Sequence, residues 1–213
     1  MIDREFIDIS FPYFDGMAIY PNNPQYCCRK VSDLQGGDSC NVSEIAMGTH
    51  TGTHLDAPSH FIQNGMTIDE LPLERINGKA KVLCIKETVI TEECLKKYEI
   101  GKNDIIIFRT SNSNVFDGSN VLESYVTLDY EGAQYLVAQG VRMIGIDYMT
   151  IERPRAMREQ GKSVHEIILG AGIPVLETLD LRNVEEGEYM LYCLPLKLAG
   201  ADGSPVRAVM IRR

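Results

Sequence analysis

Apolar residues along the chain gather into short runs separated by polar, glycine-rich stretches, and the spacing inside the runs is of two kinds. Seven runs are rich in Val, Ile, Tyr and Phe and bounded by turn-forming residues: "EFIDIS" (5–10), "KAKVLCI" (79–85), "DIIIFRT" (104–110), "VRMIGID" (141–147), "IPVLE" (173–177), "YMLYCLPL" (189–196) and "VRAVMI" (206–211). They predict β-strands, several of them buried on both faces. Helical spacing appears in "TEECLKKY" (91–98), "DYEGAQYLVAQG" (129–140) and "SVHEIILGAG" (163–172). In the second, Asp129 stands where an N-cap belongs, Tyr135, Leu136 and Ala138 fall on or near one face, and Gly140 ends the helix. Strands alternating with helices predict an α/β fold with a mixed β-sheet core and flanking helices. Residues 20–41, with "YPNNP" and "QGGDSC", and residues 110–128 read as long irregular loops. No repeat, low-complexity tract or linker divides the chain, so residues 1–213 are expected to form one domain.

Composition narrows the setting. Hydrophobic residues make up 44% and charged residues 24%, as in soluble globular proteins, and no run approaches the roughly 18 apolar residues of a membrane span. A formal charge of −9 without a basic cluster repels phosphate backbones and anionic lipid, which predicts no nucleic-acid and no membrane partner. The charged, alternating start "MIDREFIDIS" lacks an apolar signal segment, and six cysteines without CxxC spacing read as reduced thiols. Both features predict a cytoplasmic protein.

The candidate chemistry sits in "HTGTHLDAPSH" (50–60), which holds three of the four histidines. Gly48, Gly52, Pro58 and the β-branched Thr49, Thr51 and Thr53 disfavour a helix and predict extended backbone. In a strand His50, Gly52, His54 and Asp56 face one side. A rise of about 3.3 Å per residue would hold the Cα atoms of His50 and His54 roughly 13 Å apart, so a bend at Gly52 is needed to bring the imidazoles to one ion. Pro58 then starts a turn that carries His60 toward the same cavity. A single histidine is more often a packed or surface residue, but three with an aspartate in register favour a metal site. Nitrogen donors with a carboxylate suit Zn2+, Mn2+ or Fe2+ better than Ca2+ or Mg2+. The absence of GxSxG argues against a serine hydrolase, and "GAGIPVLE" lacks the third glycine of a dinucleotide loop.

"HTGTHLDAPSHF" resembles the signature of the metal-dependent cyclase family that includes bacterial kynurenine formamidases and isatin hydrolases. The resemblance continues through "YPNNP", "VRMIGID", "HEIILGAGIPVLETLDL" and "LPLKLAGADGSPVRAVM". It implies a cyclase-like α/β fold, a homodimer or higher oligomer, and one or two divalent ions, Zn2+ or Mn2+. It gives His50, His54 and Asp56 the role of metal ligands and His60 that of catalytic acid and base, and His165 and Glu177 complete the site. The residues alone make His165 an ordinary packed histidine and Glu177 a solvated strand end. The implied reaction is hydrolysis of an amide, as in the conversion of N-formyl-L-kynurenine to L-kynurenine and formate. Ring-opening of a lactam or lactone needs the same parts, and a non-catalytic metal-stabilised binding domain is the alternative from another class. Tyr20 stands where kynurenine formamidases carry a tryptophan, which makes it the candidate substrate-binding wall in a chain without Trp.

Overall fold

The computed structural model describes residues 5–154 and 163–212. In chain order the elements are β1 (Phe6–Asp8), β2 (Cys27–Ser32), β3 (Val42–Ala46), β4 (His54–Asp56), α1 (Leu73–Ile76), β5 (Gly78–Cys84), β6 (Val89–Ile90), α2 (Glu92–Leu95), β7 (Ile105–Arg109), α3 (Asn112–Val115), β8 (Thr127–Leu128), α4 (Tyr130–Gln139), β9 (Met143–Ile146), α5 (Val164–Gly170), β10 (Val175–Glu177), β11 (Gly187–Pro195) and β12 (Gly203–Arg212). The main sheet runs β1-β12-β11-β5-β7-β9-β10-β4, and a further pairing of β12 with β4 closes it into a barrel-like ring. Pairings from β5 through β7 and β9 to β10 are parallel, and the others are antiparallel, so the sheet is mixed.

The unbroken apolar run of β7 has a direct cause. Ile105 and Ile107 point into the core enclosed by the ring, beside Leu55, Leu176, Leu191 and Met210. Ile106 and Phe108 point outward into a second core shared with Leu136 of α4 and Ile168 of α5. With apolar partners on both faces, neither face of β7 needs polar residues. The helix α4 begins where Asp129 accepts a hydrogen bond from the Gly132 amide and stops at Gly140, whose φ is +73°. Its buried face is Gly132, Ala133 and Leu136, with Tyr135 packed beside them; Ala138 is exposed, contrary to the expected face. The helix in residues 91–98 is confined to Glu92–Leu95.

Both expected loops contain regular structure. Within residues 20–41 lies β2, which pairs with β3 in a separate two-stranded ribbon, and within residues 110–128 lie α3 and β8. All of β3 and nearly all of β2 are exposed, so no core-facing alternation marked them. The short α3 is fixed from outside by the buried Asp147 carboxylate, which accepts from the Thr110 and Ser113 amides at 2.7 and 3.1 Å and from both hydroxyls. Residues 50–53 are turn and bend rather than strand, and regular pairing begins at His54. No helix among the described residues is long and apolar enough to cross a membrane.

Candidate metal centre

Strand β4 lies between β10 and β12, and register decides what meets there. His54 stands opposite Glu177 of β10 and Pro205 of β12, while Asp56 stands opposite Val175 and Gly203. The two-residue period puts His54 and Asp56 on one face of β4, and Glu177 joins them as a cross-strand neighbour. All three are buried, Asp56 completely.

His50 reaches them through the bend the spacing called for. Gly52 takes φ +60°, and the Tyr13 hydroxyl is within bonding distance of the carbonyls on both sides of it, 3.2 Å from Thr51 and 3.0 Å from Thr53. The His50 and His54 rings consequently lie 5.1 Å apart. His50 Nδ1 is 2.7 Å from Asp56 Oδ1, and its Nε2 is 2.7 Å from Oδ2 of Asp202, the residue just before β12. Gly203 leaves room for this ring: a Cβ there would meet His50 Cε1 at 2.7 Å. Pro58 opens a 3-10 turn ending at His60, whose ring stacks on His50 at 3.8 Å and whose Nδ1 lies 3.5 Å from Asp202 Oδ2.

His165 arrives from α5, which Ser163 caps by accepting from the Glu166 amide. Its Nδ1 donates to Oε1 of the buried Glu152 at 2.8 Å, which leaves Nε2 3.2 Å from Glu177 Oε1 and 3.5 Å from Asp56 Oδ2. Phe61 stacks flat on this ring at 4.6 Å. Thr178, next to Glu177, is a buried β-branched residue at φ +58°, a strained conformation held by its amide donating to Tyr148 O at 2.7 Å.

These atoms fit a cation. His54 Nδ1 faces the Gly52 carbonyl at 2.8 Å, which can only accept, so Nδ1 carries a hydrogen and Nε2 is the ligand atom, pointing toward Asp56 Oδ1 at 3.2 Å and Glu177 Oε2 at 3.5 Å. Asp56 Oδ2 is buried with no hydrogen-bond partner. Acceptors packed against acceptors in a dry site need a positive charge among them. Ligand atoms of His50, His54 and Asp56, and of Asp56, His165 and Glu177, lie within 4.8 Å of one another, so Asp56 belongs to both groups. His50, His60 and Asp202 form a third such group, and three imidazoles with two or three carboxylates form a donor set for a divalent metal.

Without metal, protons supply part of that charge. Burial alone would lower His50, but Asp56 and the bonds to Asp202 and Asp56 outweigh it and push it up to about 10. His165 is likewise raised well above the usual histidine range, burial being outweighed by the carboxylates of Asp56, Glu152 and Glu177 around it. Asp56 is held well below the usual carboxylate range, since His50 and its other imidazole partners outweigh its desolvation. Glu177 moves up through burial and the charge of Asp56. His60 goes the other way: burial, with the positive charge of His50 and His165, lowers it to about 4 despite Asp56. It is therefore neutral at physiological pH.

The structure thus brings together all six expected site residues, His50, His54, Asp56, His60, His165 and Glu177. All of them but Asp56 line a cavity of about 250 Å³, which Tyr20 also lines. A larger cavity of about 870 Å³ holds none of these six and adjoins the first through Tyr20, Met149 and Thr150. The chemistry belongs to the smaller one. Sequence reasoning missed Asp202 and Glu152. Asp202 sits between two glycines in "AGADG", a turn that could have flagged a backbone brought close to something; nothing local distinguishes Glu152.

Fold and cluster together define a mixed α/β protein built around a divalent-metal centre. The chain belongs to the Cyclase family, whose model matches residues 7–153. It is similar to a kynurenine formamidase of Bacillus thuringiensis subsp. konkukian, 31% identical over 212 residues and covering 99% of each chain. Among solved structures, it resembles a predicted metal-dependent hydrolase from Bacillus stearothermophilus at 29% identity, with a TM-score of 0.85 and 99% of both chains covered. Isatin hydrolase A from Labrenzia aggregata shares the fold, with a TM-score of 0.84 at 22% identity over 98% of this chain and 93% of that one.

Proposed function

We propose that the protein is a metal-dependent hydrolase that cleaves the C–N bond of an aryl formamide, of the kind N-formyl-L-kynurenine represents. The observation that carries this reading is the pairing of a buried, cation-demanding cluster with His60 on the wall of the same cavity, its ring stacked on His50 at 3.8 Å. The Bacillus relative's activity supports the choice of substrate class. Held by His50, His54, Asp56, His165 and Glu177 as one or two Zn2+ or Mn2+ ions, the metal supplies Lewis-acid polarisation of the carbonyl and acidification of a water.

His60 is the proton carrier. Its neutral imidazole takes a proton as water adds to the formyl carbon and returns it to the nitrogen as the C–N bond breaks, giving formate and a free amine. Asp202 positions His60 and His50 from one carboxylate, and Glu152 fixes the His165 tautomer with Nε2 toward the cluster. Tyr20 forms the aromatic wall for the substrate. Ring-opening of isatin or a lactone would use the same groups.

We further take the protein to be cytoplasmic and a homo-oligomer. Six free cysteines support a reducing compartment, and the ribbon of β2 and β3, exposing Val31, Val42 and Ile45, supports a partner copy. The test is a screen of the chelated and metal-reloaded protein against N-formyl-L-kynurenine, isatin and simple lactones. Turnover of the formamide, restored by Zn2+ or Mn2+ and abolished in His60→Ala with metal content unchanged, is the expected result. Full activity in the chelated protein, or in His60→Ala, would refute the mechanism. Metal binding without turnover of any substrate would favour a structural site.

A further inference from the structure

The catalytic cavity is small for a whole substrate. Its volume of about 250 Å³ is below the roughly 300–1,000 Å³ typical of sites that enclose drug-sized ligands, whereas the adjoining cavity, at about 870 Å³, lies near the top of that range. Tyr20, Met149 and Thr150 line both, so a group bound at the metal centre has this second space as its neighbour.

The walls of the larger cavity define what it takes. The rings of Tyr125 and Tyr148 lie 4.1 Å apart, tilted by 30°, and Val89, Val115, Val121 and Leu122 add aliphatic surface. Asn22, Thr88, Ser111, Glu123, Ser124 and Arg153 bring polar groups to its exposed edge, whereas its buried and half-buried polar side chains are largely engaged elsewhere. The Tyr148 hydroxyl accepts from the Leu122 amide at 2.9 Å, and the Tyr125 hydroxyl donates to Glu152 O at 3.4 Å. The Asn112 amide is tied at both ends to the Val126 backbone, at 3.1 and 2.8 Å. A polar body placed against the tyrosine and aliphatic walls, away from that edge, would exchange water for few open hydrogen-bonding groups, a loss that an apolar body does not suffer.

We infer that the larger cavity binds the body of the substrate, and that this body is a bulky apolar aromatic group, larger and less polar than the amino-acid side of N-formyl-L-kynurenine. The inference rests on the reading of the metal centre as an amide hydrolase for its reaction, but not for the binding it predicts. In that reaction, water and a 4-substituted formanilide give formate and the 4-substituted aniline, with the substituent seated between Tyr125, Leu122 and Val89.

The test compares formanilide, 4-benzylformanilide and N-formyl-L-kynurenine on the metal-reloaded protein. Burial of a second ring should raise kcat/KM for 4-benzylformanilide roughly ten- to a hundredfold over formanilide, and above N-formyl-L-kynurenine. Val89→Phe and Val115→Trp, which partly fill the cavity and touch no catalytic group, should erase that advantage, bringing kcat/KM for 4-benzylformanilide down to that for formanilide. Hydrolysis of formanilide without a preference for the benzyl compound, or a preference that survives both variants, overturns the inference. If no formanilide is hydrolysed, the aryl-formamide reading fails by itself, and calorimetric titration with 4-benzylaniline decides the cavity. Binding to wild type that both variants weaken supports it, and no binding overturns it. Dissociation of an oligomer by either variant, seen by light scattering, would make the cavity an interface between copies and also overturn the inference.

Discussion

Gly52→Ala tests the bend on which the metal centre depends. At φ +60° an L-residue pays roughly 1–2 kcal/mol. A Cβ at this position would lie 2.7 Å from Tyr13 Cε1 and 3.0 Å from Cζ, so the phenol ring must move. Moving it strains or breaks the contacts of its hydroxyl with Thr51 O and Thr53 O, at about 0.5–1.5 kcal/mol for each bond lost. Alanine returns about 0.4–1 kcal/mol by restricting the unfolded chain. The balance is a loss of about 2–3 kcal/mol, or roughly 5–10 °C in Tm for a chain of this length. Calorimetry on chelated protein isolates this cost from any effect of bound metal. Because relaxation of the bend carries His50 away from Asp56, metal affinity, read by competition with a chromophoric chelator, should fall at least tenfold, on the order of the loss from misoriented ligands. An unchanged Tm with unchanged affinity would show that Gly52 is not what places His50.

Four further outcomes follow from the same geometry. In chelated protein His50 has a folded pKa raised from 6.5 to about 10, so its contribution to stability is complete below pH 6.5 and is lost as pH rises from there to about 10; Tm should decline across that window, and in His50→Gln the decline should shrink. Since His50 and His165 both hold protons before metal arrives, metal binding at neutral pH should release protons, measurable as a buffer-dependent heat in titration calorimetry, and buffer-independent heats would contradict the charge assignment. Glu152→Gln must turn an amide NH2 toward either His165 Nδ1 or the Val164 amide, which now donates to Glu152 Oε2 at 2.7 Å, so metal affinity should drop about 10–100-fold with the rest of the ligand set intact. In Gly203→Ala the new methyl meets His50 Cε1 and, at 2.9 Å, Leu55 O, and the overpacking should cost about 1–3 kcal/mol in a thermal melt.

What could be read from the chain, and what could not, divides along a physical line. The strands were legible because β7 and its neighbours bury alternate residues in two different cores, and a chain wetted on neither face writes an uninterrupted apolar run. The metal cluster was legible because histidine is scarce here, so three in eleven positions stand out, and because a glycine between ligands marks where an extended chain must fold back. The ribbon of β2 and β3 left no such trace, since residues exposed on both faces carry no period. The same holds for α3, whose conformation is set by Asp147 from 34 residues away. Most telling are Asp202 and Glu152, two of thirty acidic residues that composition cannot distinguish. Asp202 acquires its place only because β12 pairs with β4 and sets the preceding turn against His50 and His60, and Glu152 only because α5 packs His165 over it. Ligands are chosen for an element-specific chemistry that few residue types provide, whereas the carboxylates that orient them need only a charge in the right place. Barrel closure supplies that place, and closure is a property of pairings between segments far apart in the chain, so the groups that orient the site become visible only once the ring is complete.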